Sequence, residues 1–146
     1  MAKEIERKFL VADDSYLAEA ISSSSISQGY LNRDPDRTVR IRLRDGRGFI
    51  TVKTRNSGAT RDEWEYEIPP ADAAGMLAAC EGVIEKIRYI VPAANGLKWE
   101  IDVFGGRLQG LVLAEIELPA EDTPIDIPRF IAREVTGDPA YYNSNL

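Results

Sequence analysis

Alternation of apolar and ionised side chains, with a period of two residues, runs through most of this sequence. The segment EIERK places Glu4, Glu6 and Lys8 on one side, and six later segments repeat this division. Each segment predicts a β-strand with one apolar and one charged face, because side chains two residues apart share a face. The predicted strands are residues 3–11, 26–32, 38–45, 48–55, 62–69, 84–91, 97–104 and 111–118. Eight short strands with few helices are typical of an antiparallel barrel or sandwich.

Three short helices are predicted between and after these strands. The first is DDSYLAEAI, with Asp13 or Asp14 as N-cap, followed by a serine-rich loop over residues 22–25. The second is PADAAGMLAACEG, which begins at Pro70 and ends near Gly82. The third is PRFIAREVTGD, which starts after Pro128. No clear linker interrupts the chain, so residues 1–146 are predicted to form a single domain.

The residue inventory excludes several kinds of chemistry. The chain contains no histidine, which excludes Ser-His-Asp and Cys-His catalysis and the common zinc sites. Any metal must then be held by oxygen atoms, which favours Mg²⁺, Mn²⁺ or Ca²⁺. A net charge of −6 argues against nucleic-acid binding, and no apolar run approaches the length of about 18 residues that spans a bilayer. The lone cysteine, Cys80, suits a reducing cytoplasm, where we expect the protein.

The charged faces differ in sign from one segment to the next. VRIRLR, TVK and EKIRY are cationic, whereas RDEWEYEI and LVLAEIEL are anionic. A water-exposed sheet face explains any single segment, but such faces usually include Ser, Thr, Asn and Gln among the charges. If the charged face points into a closed barrel, the lumen holds acidic and basic clusters that each need a partner. A divalent cation bound to a polyphosphate satisfies both clusters.

These segments resemble the CYTH superfamily, the triphosphate tunnel metalloenzymes. The resemblance is carried, in the order of the family, by EIERKFLV, QGYL, VRIRLR, TVK, RDEWE, EKIRY, WEIDVF, AEIEL and EVTGD. It implies a mainly β (α+β) fold, an eight-stranded antiparallel closed barrel with a few short helices outside. In this family the tunnel binds triphosphate compounds together with Mg²⁺ or Mn²⁺.

The resemblance also implies roles for individual residues. Triphosphate binding falls to Lys8, Arg40, Arg42, Lys53, Lys86 and Arg88. Metal binding falls to the acidic residues Glu4, Glu6, Glu63, Glu65, Glu100, Asp102, Glu115 and Glu117. The catalytic candidates are Lys8, Tyr30, Glu4 and Glu6, with Tyr30 expected near Lys8. The base is left open between Glu4, Glu6 and Glu117.

The expected activity is metal-dependent hydrolysis of a triphosphate. Few residues lie outside the predicted barrel to build a nucleoside pocket, which favours inorganic tripolyphosphate as the substrate. A class IV adenylate cyclase, which converts ATP to cyclic AMP and pyrophosphate, is the alternative, and a nucleoside or thiamine triphosphatase is a third. A polyphosphate-binding module without turnover and a barrel whose charges only pair with one another are the non-enzymatic interpretations. The apolar outer face offers surface for a homodimer.

Overall fold

The computed structural model describes residues 2–146, and its architecture is almost entirely β-structure. Its strands are β1 (Ala2–Val11), β2 (Ser22–Asn32), β3 (Arg37–Arg44), β4 (Arg47–Thr54), β5 (Thr60–Ile68), β6 (Ile84–Pro92), β7 (Lys98–Phe104), β8 (Val112–Glu117) and β9 (Ile131–Glu134). One α-helix, α1 (Pro70–Ala78), joins β5 to β6, and the other helical segments described are short 3₁₀ turns. Within residues 2–146, no helix is long and apolar enough to cross a membrane.

Eight of these strands close into an antiparallel barrel. Around the barrel the order is β1–β5–β4–β3–β2–β6–β7–β8, and β8 pairs again with β1. The ring closes at β1, because residues 2–5 of this strand pair with β5 and residues 6–10 pair with β8. The prediction of an eight-stranded antiparallel closed barrel is therefore confirmed, and the sandwich is excluded.

The ninth strand replaces a predicted helix. The prediction that PRFIAREVTGD is helical is wrong, since β9 lies antiparallel to β1 with Phe9 opposite Glu134. This edge of β1 is available because its pairing with β5 stops at residue 5. Phe130 and Ile131 are buried in the core outside the barrel. Strand pairing and burial together outweigh a helix propensity that is weak in this segment.

Two other local predictions need correction, and one is confirmed. The serine-rich residues 22–25, predicted as a loop, begin β2 and pair with residues 87–90 of β6 through backbone hydrogen bonds that need no apolar side chain. The helix predicted in DDSYLAEAI is only a 3₁₀ turn, Ser15–Ala18, whose Ser15 amide donates to Asp13 Oδ1 at 2.9 Å. The second predicted helix is confirmed as α1, with Pro70 in its first turn, although it ends before Gly82.

The largest hydrophobic core lies outside the barrel wall. Phe9, Trp99 and Ile101 are buried on the outer faces of β1 and β7, and Tyr16 and Phe130 belong to the same cluster. The rings of Phe9 and Trp99 meet edge to face with centroids 5.4 Å apart. The loop before β2 and the segment before β9 thus cover apolar faces that the barrel cannot bury by itself.

A second apolar cluster closes one end of the lumen. Ile84, Phe104 and Leu113 are at most 3% exposed and pack together. Each lies two residues from a charged side chain of the inner face, so the strand period directs it inward. These residues come from the start of β6, the end of β7 and the start of β8, which meet at one end of an antiparallel barrel. The lumen therefore has an apolar floor, formed by Ile84, Phe104 and Leu113.

Close contact between β2 and the end of α1 requires glycine at position 29. A Cβ added to Gly29 would lie 2.8 Å from Cys80 Cβ and 3.1 Å from Cys80 Sγ. We expect Gly29→Ala to lower the free energy of unfolding by about 1–3 kcal/mol, measured by urea denaturation. Gly75→Ala is the matched control, since Gly75 lies in α1 with nothing within 4 Å of the added Cβ. This control should gain up to about 1 kcal/mol, and equal midpoints for both variants would contradict the packing argument.

Candidate active site

A charged cavity of about 180 Å³ occupies the lumen above the apolar floor. Its wall contains seven carboxylates and seven cationic side chains. The carboxylates are Glu4, Glu6, Glu63, Glu65, Glu100, Glu115 and Glu117, and the cations are Lys8, Arg40, Arg42, Arg44, Lys53, Arg61 and Arg88. Every predicted site residue lines this cavity except Lys86 and Asp102. The inward orientation of the charged faces is thus the arrangement that strand parity predicts.

The barrel order separates these charges into two walls. The acidic wall is formed by the neighbouring strands β7, β8, β1 and β5, which carry all seven cavity carboxylates. The basic wall is formed by β4, β3, β2 and β6, which carry Lys53, three arginines of β3, Arg88 and the phenol of Tyr30. Lys8 and Arg61 are the two cavity cations on the acidic wall. A ligand in this cavity therefore meets opposite charges on its two sides.

Ion pairs already neutralise the junction between β1, β4 and β5. Lys53 Nζ lies 3.0 Å from both carboxylate oxygens of Glu4 and 3.2 Å from Glu63 Oε2. Arg61 Nε donates to Glu4 Oε1 at 3.0 Å. Burial alone would raise the pKa of Glu4, but Lys53 and Arg61 outweigh it and bring that pKa to about 2. Glu4 is therefore ionised and firmly paired without any ligand.

Arg40 and Arg42, in contrast, are incompletely satisfied. Arg40 Nη2 lies 3.2 Å from Thr51 Oγ1 and 3.3 Å from Glu65 Oε2, but its buried Nε has no hydrogen-bond partner in the described structure. Arg42 donates only to the neutral Gln28, through Nε at 3.0 Å and Nη2 at 2.7 Å. Burial lowers the pKa of Arg42 to about 9, and the nearby charges of Arg40 and Arg88 add to this effect. Arg40 thus has one carboxylate partner, Glu65, whereas the described hydrogen bonds of Arg42 all go to a neutral side chain, an unusual state for a buried cation.

Two carboxylates hold Arg88. Glu100 lines the cavity, whereas Asp102 does not. Arg88 donates from Nε to Asp102 Oδ1 at 2.8 Å and from Nη1 to Glu100 Oε2 at 3.1 Å. Lys86 Nζ donates to the other oxygen of Asp102 at 2.6 Å. Burial alone would raise the pKa of Asp102, but Lys86 and Arg88 lower it to about 2. Lys86 and Asp102 thus form a buried support for Arg88, and their direct binding of triphosphate or metal stays a prediction.

Glu6 differs from the other carboxylates of the acidic wall. It lies opposite Glu117 in the strand register and makes no ion pair with a cation among the described residues. Burial raises the pKa of Glu6 well above its usual value, and the charges of Glu115 and Glu4 raise it further. For Glu115, burial opposes ionisation, but Lys8 and a hydrogen bond with Glu6 hold its pKa well below the usual range. Glu6 is therefore a carboxyl group whose ionised form is disfavoured in this arrangement.

The acidic wall carries oxygen donors of the type that divalent cations prefer. Glu6, Glu115 and Glu117 lie on adjacent strands, and carboxylates are the ligands that Mg²⁺ and Mn²⁺ prefer. A bound cation would also relieve the repulsion that raises the pKa of Glu6. Within residues 2–146, no three acidic groups stand close enough to form a complete metal site in this arrangement. The donor type is thus suitable, and of the three only Glu115 makes an ion pair in the described chain, with Lys8 Nζ at 3.9 Å.

Lys8 is anchored by the C-terminal segment, a contact that the sequence did not reveal. Its Nζ donates to the backbone oxygen of Tyr141 at 2.9 Å and lies 3.9 Å from Glu115 Oε1. No hydrogen bond joins it to Tyr30 in the described chain, and β2, which carries Tyr30, lies opposite β1 in the ring. Residues 135–137 and 142–144 also line the cavity. Nothing in their pattern predicts this, because they reach the site only through tertiary packing.

Arg61, Gln28 and Thr51 are further site residues that sequence reasoning missed. Arg61 shares the parity of Glu63 on β5, so an earlier start for this predicted strand would have included it. Gln28 and Thr51 carry no charge and lie on faces identified by their charges. Their hydrogen bonds to Arg42 and Glu65 become visible only when the strands are paired.

The fold and the site together define a class of protein, a closed antiparallel barrel whose acidic and basic walls enclose a site suited to a polyanion. The CYTH domain family model matches residues 2–142. This chain therefore belongs to the CYTH domain family, as the sequence resemblance implies.

Relatives of known name match the chain along nearly its whole length. An inorganic triphosphatase of Acetivibrio thermocellus is 48% identical over 148 residues, which cover 100% of this chain and 94% of the relative. An inorganic triphosphatase of Nitrosomonas europaea is 35% identical, over 98% of this chain and 95% of the relative. The crystal structure of the inorganic triphosphatase NE1496 matches with a TM-score of 0.68 and 34% identity, over 97% of this chain and 95% of that chain.

Proposed function

We propose that this chain hydrolyses inorganic tripolyphosphate with the help of Mg²⁺ or Mn²⁺. The observation that carries the proposal is the basic wall, where Arg40 Nε has no partner in the described structure and Arg42 has only a neutral one. Buried cations in this state need an anion, and a polyphosphate supplies several charged oxygens at once. Two relatives, 48% and 35% identical across the chain, are inorganic triphosphatases, which supports this substrate.

The size of the cavity favours a compact anion. Its volume of about 180 Å³ is below the range of about 300–1,000 Å³ that is usual for pockets binding larger organic ligands. A nucleotide needs room for a base and a sugar in addition to its phosphates. Inorganic tripolyphosphate therefore fits the cavity better than ATP or thiamine triphosphate.

The chain's own residues supply positioning and charge neutralisation, on which phosphoryl transfer chiefly depends. Arg40, Arg42 and Arg88 would bind phosphate oxygens from the basic wall, and Lys8 would approach from the acidic wall. Among the candidate bases, Glu4 is the weakest, because its pKa is about 2. Burial and the charges of Glu4 and Glu100 raise the pKa of Glu117, so Glu117 is better suited to accept a proton from the attacking water.

Glu6 and Glu115 would hold the divalent cation on the acidic wall, and Glu117, at the adjacent strand position, would remain available as the base. When bound, such a cation polarises phosphoryl oxygens and offsets the negative charge of the substrate. The same neutralisation would allow carboxylates and a polyanion to approach each other within one cavity. Metal binding and substrate binding are thus expected to strengthen each other.

The decisive assay measures the products formed from tripolyphosphate and from ATP. With Mg²⁺, we expect water and tripolyphosphate to give pyrophosphate and orthophosphate, with much slower release from ATP and no cyclic AMP. Removal of the metal with EDTA should reduce hydrolysis to background, and added Mg²⁺ or Mn²⁺ should restore it. Cyclic AMP with pyrophosphate would instead identify an adenylate cyclase, and preferred hydrolysis of ATP or thiamine triphosphate would identify the third alternative. Binding without turnover would identify a polyphosphate-binding module.

We also propose a cytoplasmic location and a homodimer without nucleic acid. The single cysteine, Cys80, is free, as is usual in a reducing compartment. Tyr66 and Ile87 are 66% and 43% exposed on the outside of the barrel, and a second copy would cover such surface. The net charge of −6 disfavours binding to nucleic acid. Light scattering tests the dimer directly, since a molar mass of one chain, 16.2 kDa, would contradict it.

A further inference from the structure

Gln28 occupies an unusual position beneath the basic wall. Its side chain is fully buried, and it lies directly opposite Arg42 in the pairing of β2 with β3. Gln28 Oε1 accepts hydrogen bonds from Arg42 Nε at 3.0 Å and from Arg42 Nη2 at 2.7 Å. Because only the amide oxygen can accept both donors, the orientation of the amide is determined by Arg42. Gln28 thus fixes the plane of the guanidinium through two contacts.

The neutral partner distinguishes Arg42 from the other buried cations of the cavity wall. Lys53 pairs with Glu4, Arg88 pairs with Asp102, and Arg40 and Lys8 each lie within 4.0 Å of a carboxylate. Among the buried cations of the described cavity wall, only Arg42 has no carboxylate within 4.0 Å, and its acceptor, Gln28, carries no charge. Its positive charge is therefore fixed in place without being neutralised.

Stability alone does not explain the choice of glutamine. The other half of the amide, Nε2, is buried without a hydrogen-bond partner in the described structure, and such an orphaned donor is costly. Glutamate at this position would have no orphaned donor and would attract Arg42 more strongly, through a charge-assisted bidentate pair. An apolar residue would also avoid the orphaned donor, but it would leave Arg42 without an acceptor. Glutamine is the side chain that both orients the guanidinium and preserves its charge.

We propose that Gln28 is a positioning residue that presents the uncompensated charge of Arg42 to a phosphate group of the substrate. The proposal rests on the proposed function, because the expected ligand is tripolyphosphate. Gln28 does not line the cavity, so its effect must pass through Arg42. A substitution at Gln28 should then weaken anion binding if it neutralises the charge of Arg42 or if it leaves the guanidinium without a fixed orientation.

Three variants separate these contributions. Gln28→Glu neutralises Arg42 while keeping an acceptor, whereas Gln28→Leu keeps the charge of Arg42 and removes its orientation. The only other glutamine, Gln109, is exposed after β7, and Gln109→Glu is the control that adds the same charge away from the cavity. For each protein, we would measure thermal unfolding, the Kd of tripolyphosphate by calorimetry in EDTA, and kcat and KM with Mg²⁺.

We expect Gln28→Glu to unfold at the wild-type temperature or above, with Kd and KM for tripolyphosphate raised about tenfold or more, the effect of one lost charge-assisted contact. Gln28→Leu should reduce kcat about tenfold, with a smaller change in KM, because a misplaced group loses transition-state contacts first. Gln109→Glu should match the wild type. A merely structural role predicts the opposite result for Gln28→Glu, namely wild-type binding in a protein that is equally or more stable.

Wild-type Kd and KM in folded Gln28→Glu would overturn the proposal. If that variant does not fold, wild-type kinetics of folded Gln28→Leu would overturn it, and so would failure of both variants to fold, since Gln28 would then serve stability. The proposed function can fail separately. Wild-type protein that binds tripolyphosphate without hydrolysing it would contradict the hydrolase, while calorimetry of Gln28→Glu would still test the positioning of Arg42. Wild-type protein that binds no tripolyphosphate, with or without Mg²⁺, would overturn both.

Discussion

Replacing Lys8 with alanine is expected to lower kcat for tripolyphosphate hydrolysis by a factor of about 10²–10³, with the barrel still folded. Lys8 Nζ lies 3.9 Å from Glu115 and is fixed by the Tyr141 backbone oxygen at 2.9 Å. It is the buried cation of the acidic wall, so it would face a bound polyphosphate from the side opposite Arg40 and Arg42. A preorganised cation at developing negative charge stabilises the transition state, which is why kcat should fall more than KM rises.

Lys3 provides the matched control for this substitution. It lies on the same strand with the opposite parity, and its side chain is 59% exposed in a surface pair with Asp62 at 3.1 Å. Lys3→Ala removes an identical charge and should change kcat and stability very little. Lys8→Arg should retain part of the activity, because charge persists while its position changes. Wild-type kcat in folded Lys8→Ala would remove Lys8 from the mechanism.

Strand parity predicts which face of each strand points into the lumen. One face of a strand must bury apolar side chains, so identifying that face as the outer one assigns the remaining positions, among them Glu4, Glu6 and Lys8. A predicted strand that is too short leaves out residues of its charged face. Arg61 is such a case, because β5 begins at Thr60 and the predicted strand began at residue 62.

Distances along the barrel axis and partners across it could not be predicted. Lys86 and Arg88 share a face, but only Arg88 lines the cavity, because the stagger of the strands places Lys86 beside the apolar floor. Lys53 pairs with Glu4 across 49 residues of sequence, and Lys8 reaches Tyr141 across 133. Such contacts depend on how the barrel closes. The helix predicted at β9 is wrong for the same reason. This segment is a strand because it pairs with a free edge of β1, which the local sequence does not show.

Replacing Glu6 with glutamine is expected to separate activity from stability. Activity should require at least about 100-fold more Mg²⁺, because a carboxylate of the proposed cation site becomes neutral. Without metal, in EDTA, the thermal unfolding temperature should equal or exceed that of the wild type. The reason is that burial and the charges of Glu115 and Glu4 already oppose ionisation of Glu6. A glutamine amide can also donate to Glu115 and so replace the hydrogen bond between Glu6 and Glu115.

Replacing Glu115, on the same wall, is expected to have the opposite effect on the stability of the metal-free protein. Its pKa is held well below the usual range by Lys8, Arg88 and the hydrogen bond with Glu6, despite the burial that opposes its ionisation. Glu115→Gln removes a charge that buried cations need, so it should cost about 3–5 kcal/mol of unfolding free energy in EDTA. Glu19→Gln, at an exposed position, should change neither the Mg²⁺ requirement nor the unfolding free energy.

Added Mg²⁺ should raise the unfolding temperature of the wild type and of Glu19→Gln, but should raise that of Glu6→Gln much less. An equal metal-induced rise in all three proteins would show that the cation binds elsewhere, and a loss of stability in metal-free Glu6→Gln would show that Glu6 is a structural charge.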